Sequence, residues 1–166
     1  FSNGTTESTS TVARIGVDSG VVSPVTGYIS GFRLVKGTAV YISAFAPPTA
    51  PPTAITNTQL LLNFTNAGIY DAAAQNDLET VGNAQISTTQ SKWGGGSMYF
   101  DGTGDWLLIP DNPNQRFGTG NFTIEFWLYL SATGSTRGLV AKGTGTTGWL
   151  VSLNTSNQVV FTYTTS

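Results

Sequence analysis

Across residues 121–130 (NFTIEFWLYL) apolar and polar positions alternate. Phe122, Ile124, Phe126, Leu128 and Leu130 fall on one face, and Thr123, Glu125, Trp127 and Tyr129 on the other. A period of two marks a strand with one buried face. Shorter strand signals recur at 11–17, 26–34, 40–45, 60–64, 97–100, 106–109, 138–141, 148–153 and 158–163. Phe100 and Phe126 stand at core positions of two of these strands. The turn Asp101-Gly102-Thr103-Gly104-Asp105 joins two of them, as Asp and Gly favour. No segment carries a helical period, and residues 72–78 form at most one helical turn. Many short strands separated by Gly, Asn and Asp turns predict an all-β fold, a sandwich or a barrel.

One stretch interrupts the pattern. Residues 46–58 (APPTAPPTAITNT) carry four prolines. Proline cannot donate to a strand ladder, and adjacent prolines favour extended polyproline geometry. This stretch reads as a linker between residues 1–45 and residues 59–166. The first piece has strand chemistry for about three strands, too few to bury a core alone.

Composition narrows the function classes. Charged residues make up 10% of the chain and the net charge is −2. With no cluster of Lys or Arg, the footprint of a nucleic-acid binder is missing. There is no cysteine and no histidine, which excludes a disulfide scaffold, a Cys/His zinc site and a Ser-His-Asp triad. No apolar run approaches the ~18 residues of a membrane-spanning helix, so no membrane insertion is expected. Neither a signal peptide nor its basic leader is expected at Phe1; a mature or excised product would look the same. A surface rich in Thr, Ser and Asn points to an extracellular, cell-surface or virion setting.

Specific motifs then carry a resemblance. In the second piece stand Leu60-Leu61-Leu62-Asn63-Phe64, Lys92-Trp93-Gly94-Gly95-Gly96-Ser97-Met98-Tyr99-Phe100-Asp101-Gly102, Asp105-Trp106-Leu107 and Phe122-Thr123-Ile124-Glu125-Phe126-Trp127. In that order they resemble the first strands of laminin-G-like domains of the concanavalin A-like lectin/glucanase superfamily, known in secreted bacterial proteins and in marine phage structural proteins. The first piece, with Ala13-Arg14-Ile15-Gly16, Gly27-Tyr28-Ile29-Ser30-Gly31-Phe32-Arg33-Leu34 and Lys36-Gly37-Thr38-Ala39-Val40-Tyr41, resembles the last strands of the same domain. The halves therefore stand in permuted order. The family's central hairpin, with its Trp-Tyr-His type strand, has no counterpart. The resemblance implies an antiparallel two-sheet jelly-roll sandwich. It leaves two arrangements: residues 1–45 complete their own chain as a permutant, or they are donated to a neighbouring copy or repeat. Exposed edges left by the absent hairpin favour exchange between copies.

Candidate chemistry is sparse. Glucanases of this superfamily carry their carboxylates on one strand as E-x-D-x-E, and glycoside hydrolysis needs a pair. Here the corresponding strand offers Glu125 alone, and Glu7 and Glu79 fall in loops. The chain is therefore read as no enzyme. Asp101, Asp105, Asp111 and Asn112 lie within twelve residues and supply oxygens of the kind calcium takes; the competing reading is that Asp101 and Asp105 only build a turn. Trp127 and Tyr129, opposite the apolar stripe, and Trp106 are the candidates for stacking on sugar rings, while Trp93 and Trp149 read as core. Asn3, Asn63, Asn121 and Asn154 each open an N-x-[ST] sequon, a pattern that also arises by chance in a Thr-rich chain.

Two functions follow. The first is a structural subunit or repeat of an extracellular assembly such as a phage fibre, virion appendage or surface filament, built by strand exchange with other copies of itself. The second is a lectin-like, carbohydrate-binding adhesion module with glycans as partners.

Overall fold

The structure, a computed structural model, describes residues 12–65, 68–73, 75–144 and 147–164. Glu7 and Asn3 lie outside the described residues. In chain order the strands are β1 (Ala13–Ile15), β2 (Thr26–Lys36), β3 (Thr58–Leu62), β4 (Glu79–Val81), β5 (Gln85–Ser87), β6 (Ser97–Asp101), β7 (Trp106–Ile109), β8 (Phe122–Leu130), β9 (Arg137–Thr144), β10 (Thr147–Leu153) and β11 (Val159–Thr164). A single turn of 3-10 helix, Pro113–Gln115, precedes β8. No described helix is long and apolar enough to cross a membrane.

The strands form two antiparallel sheets. One runs β11-β10-β9-β1-β7-β4. The other is organised by β2, the longest strand. It pairs along nearly its whole length with β8, while β6 takes its first half, with β5 beyond, and β3 its second half. Alternate side chains of the two sheets meet in one core. Ile15, Leu107, Ile109 and Leu139 come from the first sheet; Ile29, Phe32, Leu34, Leu60, Leu62, Met98 and Phe100 come from the second. The all-β reading of the pattern is therefore met, and of its two forms, sandwich or barrel, the two sheets are those of a sandwich.

The N-terminal piece occupies the interior of both sheets. β1 sits between β7 and β9, with Arg14 opposite Leu108 on one side and Ala141 on the other. β2 has a partner on each side. The strands expected to pair with a neighbouring copy are thus paired within their own chain. β1 and β2 are each flanked on both sides by strands from residues 58 onward of the same chain.

The proline-rich stretch does not leave the domain either. Residues 37–57 run from β2 back to its neighbour β3, held across the outside of the second sheet. Gly37 N–H donates to Asn121 O at 2.5 Å, Val40 N–H to Thr123 Oγ1 at 2.9 Å, and Arg33 Nη1 to Thr53 O at 2.8 Å. The strand expected at 40–45 is loop. Its Ile42 and Phe45 side chains are exposed, no described strand pairs with it, and Pro47 and Pro48 follow, with no N–H to extend a ladder. Conversely β4 and β5, three residues each, exist only as additions to β7 and β6. Residues 72–78 contain a turn and no helix among those described.

One glycine shapes the outer face. The register of β2 against β8 shifts between Ser30 and Arg33, a bulge. Gly31 stands there at φ +59, in the left-handed region that favours glycine. A Cβ at Gly31 would come within 3.0 Å of the Trp93 ring and 3.1 Å of Pro52. The bare backbone is what lets Trp93 and the linker lie against this sheet.

Candidate functional site

Outward-pointing side chains of β6, β2 and β8 stand in one rung. Tyr28 is directly opposite Tyr99 on one side and Tyr129 on the other. The Tyr28 ring lies 4.9 Å from Tyr99 and 5.8 Å from Tyr129, centroid to centroid. Side chains directly opposite in adjacent strands approach this closely as a matter of sheet geometry. The rung is a row of three aromatic rings, with Tyr129 53% exposed.

In the next rung Ser30 pairs with Trp127. The Trp127 ring is held edge-on by Trp93, centroids 5.4 Å apart, and the Lys92 ammonium lies 4.0 Å over it. Between these rungs a small cleft of about 150 Å³ is lined by Tyr28, Ser30, Lys92, Ser97, Trp127 and Tyr129, among others. Ser30 is buried, yet its hydroxyl has no hydrogen-bond partner among the described residues. The structure thus brings together two of the three expected aromatics, Trp127 and Tyr129. Trp106 is not with them. It stands on β7 in the other sheet, opposite Val81, with its indole N–H enclosed. Tyr28, Tyr99, Lys92 and Ser30 were missed. Their own segments carry no signal for a site, and only the strand register places them beside β8.

Farther along β8, Glu125 is consumed by structure. Arg33 contacts its Oε1 through both Nε and Nη2, and the Tyr41 hydroxyl donates to Oε2 at 2.5 Å. Burial pushes the Tyr41 hydroxyl pKa up, and the neighbouring Glu125 carboxylate adds to this; Arg33 opposes it. Both carboxylate oxygens are engaged, and the Tyr41 contact ties the loop after β2 to the sheet.

The four residues considered for calcium separate into two networks. Asp101 and Asp105 build a turn. Asp105 is fully buried, accepting from Asn83 N–H and Asp101 N–H at 2.9 Å each. Asp101 accepts from Asn83 Nδ2 at 2.9 Å and Thr103 N–H at 2.7 Å. The Asn83 amide and the Thr103 N–H hold the Asp101 carboxyl below its ordinary range. Asp111 instead pairs with Lys142 Nζ at 2.8 Å and with Arg116. Burial opposes its ionisation, but the two cations outweigh it and hold its carboxyl low. Asn112 caps the 3-10 turn through Asn114 N–H and donates to Asn76 Oδ1 at 3.2 Å. Each oxygen cluster is thus directed at protein donors, and no group of three or more acidic side chains poised for a metal occurs among the described residues.

One buried acid escaped the sequence reading. Asp71 accepts N–H groups of Leu61 and Ala73 on Oδ1, and of Gln75 and Asn76 on Oδ2. It pins the loop after β3 and is structural.

The second notable surface is a flank. β8 pairs only with β2, and β11 only with β10, so both sheets end on the same side in an unpaired edge among the described strands. Between them runs an apolar groove of about 390 Å³, lined by Ile124, Phe126 and Leu128 of β8 and by Leu139, Val151 and Val159 of the other sheet. The Tyr41–Phe45 stack, rings 3.8 Å apart, stands among its lining residues. None of the β8 side chains is fully buried. On β11, Val159, Val160 and Phe161 are exposed.

Compared with family models, curated proteins and solved structures, the chain finds no match.

Proposed function

We propose that this chain is a non-enzymatic structural subunit or repeat of an extracellular assembly, such as a phage fibre, virion appendage or surface filament, and that copies join along the open flank by strand addition. The observation that carries the reading is β8: a nine-residue strand with a free edge and an apolar face left half-covered. Edge strands of natural monomers are usually blunted by Lys, Pro, shortness or a cover. β8 contains neither Lys nor Pro, and its one charge, Glu125, is turned away and paired. The proposed architecture is a concanavalin A-like jelly roll, on the strength of the laminin-G-like motifs. The engagement of Glu125, the one acid on β8, supports a role without hydrolysis, because a glycosidase needs a second carboxylate facing the first.

Sedimentation over a wide concentration range tests this. The expected result is concentration-dependent oligomers that the double variant Ile124→Lys/Val159→Lys returns to monomer. A wild-type monomer at all concentrations overturns the assembly reading.

A second reading, a carbohydrate-binding adhesion module, is favoured by the Tyr99–Tyr28–Tyr129 rung. Its rings are tilted against one another, and the exposed Tyr129 offers an apolar face and a hydroxyl tip together. The two readings meet on β8, whose outer face carries Tyr129 of the rung and whose inner face lines the flank groove.

A further inference from the structure

The cleft beside the tyrosine rung has a feature that a platform for neutral sugars does not require. Lys92 places its ammonium 4.0 Å above the Trp127 ring and 5.9 Å from that of Trp93. A cation over an aromatic face is held there by the ring quadrupole, so the charge is stationed at the cleft. Among the described residues no carboxylate pairs with it. The nearest acid along β8, Glu125, is already taken by Arg33 and Tyr41. The cleft therefore carries an unneutralised positive charge in a chain whose net charge is negative.

A second, independent observation points the same way. Ser30 is 4% exposed and lines the cleft, and its buried hydroxyl has no hydrogen-bond partner among the described residues. A buried hydroxyl without a hydrogen bond costs stability unless something completes it. Its floor neighbour Ser97 is already committed, donating to Gln90 O. The cleft volume of about 150 Å³ is on the scale of one sugar ring.

We propose that this cleft binds a pyranose bearing an acidic substituent, a carboxylate or a sulfate ester. This rests on the carbohydrate-binding reading and names its ligand class. Tyr129 stacks on the ring, the Lys92 ammonium pairs with the acid group, and Ser30 Oγ donates to or accepts from a ring hydroxyl. Trp127 orients Lys92 and acts through it.

The experiment is affinity electrophoresis of the intact chain in gels containing dextran, dextran sulfate, polygalacturonate or no polymer, with tryptophan fluorescence as a second readout. Dextran and dextran sulfate share a backbone and differ in the acid group; polygalacturonate separates carboxylate from sulfate. The expected result is retardation by one or both acidic polymers and not by dextran. Lys92→Gln should weaken it about tenfold, as loss of one charge-assisted contact does, and Tyr129→Ala should weaken it as well, both with unchanged melting temperatures. Equal binding of dextran and dextran sulfate, or no effect of Lys92→Gln, overturns the acidic-ligand proposal while leaving carbohydrate binding in place. Retention that survives Tyr129→Ala shows charge attraction without a site and overturns the proposal. No retardation by any polymer overturns both.

Discussion

The two flanks of the sandwich are built from similar sequence and end in different states. On the closed side, β6 carries Phe100 between β2 and the first sheet, and its ring is fully buried, lying against Gly16, whose φ of +97 and missing Cβ make room for it. On the open side, β8 carries Phe126 in an equally regular alternation, yet Phe126 is only half-covered, stacked on Phe32 at 5.9 Å. The difference is the neighbour. Phe100 has chain on every side; Phe126 faces the groove. Alternation places a side chain on the inner face, but only a second strand beyond it removes the water.

The largest expected effect lies on the closed side. Phe100→Ala should cost about 3–5 kcal/mol in chemical denaturation, as for large aromatics in tight cores. Phe126→Ala, measured in the monomer, should cost about 1–2 kcal/mol, since much of its apolar surface stays wet. Equal costs would mean that the flank is closed in solution, and under associating conditions the Phe126 penalty should rise towards that of Phe100.

Acid should act next. Lys142 is 2% exposed and is paired with Asp111. The Asp111 carboxyl is held below its ordinary value near 4. A depressed carboxyl contributes stability that is fully present above the unfolded-state value and is lost as pH falls through the folded-state one. Stability should therefore decline below about pH 4, and Asp111→Asn should flatten that decline in melting curves taken across pH 2 to 6 while lowering stability at neutral pH. An unchanged acid limb would remove Asp111 from the account.

The smallest effect on the fold belongs to the edge. Val159 is 70% exposed, so Val159→Asp should change monomer stability by no more than about 0.5 kcal/mol. The same substitution should reduce self-association sharply. A large stability loss in a dilute monomer would show that β11 is better covered than its exposure indicates.

The legible parts of this molecule are those whose signal is local. The alternation in β8, the apolar runs of β3 and β7 and the Asp-Gly turn after β6 follow from side-chain period and turn chemistry within a few residues. The site was legible only where it lies on such a strand: Trp127 and Tyr129 were visible because β8 alternates strongly, while Tyr28 and Tyr99 join them through register. Trp106 looked equivalent and stands on the other sheet, because an aromatic residue's own sequence does not say which layer receives it.

The sequence by itself determined that the chain makes short antiparallel strands with one apolar face, and that its acids are too few and too scattered for a carboxylate pair on one strand. Only the tertiary structure decided where the N-terminal strands go, that the prolines fold back as a connection between β2 and β3, and that Asp111 pairs with cations rather than joining Asp101. The reason is that strand partners, layer and coverage are set by long-range pairing, where one hydrogen-bonding edge is much like another until geometry and chain length choose between them.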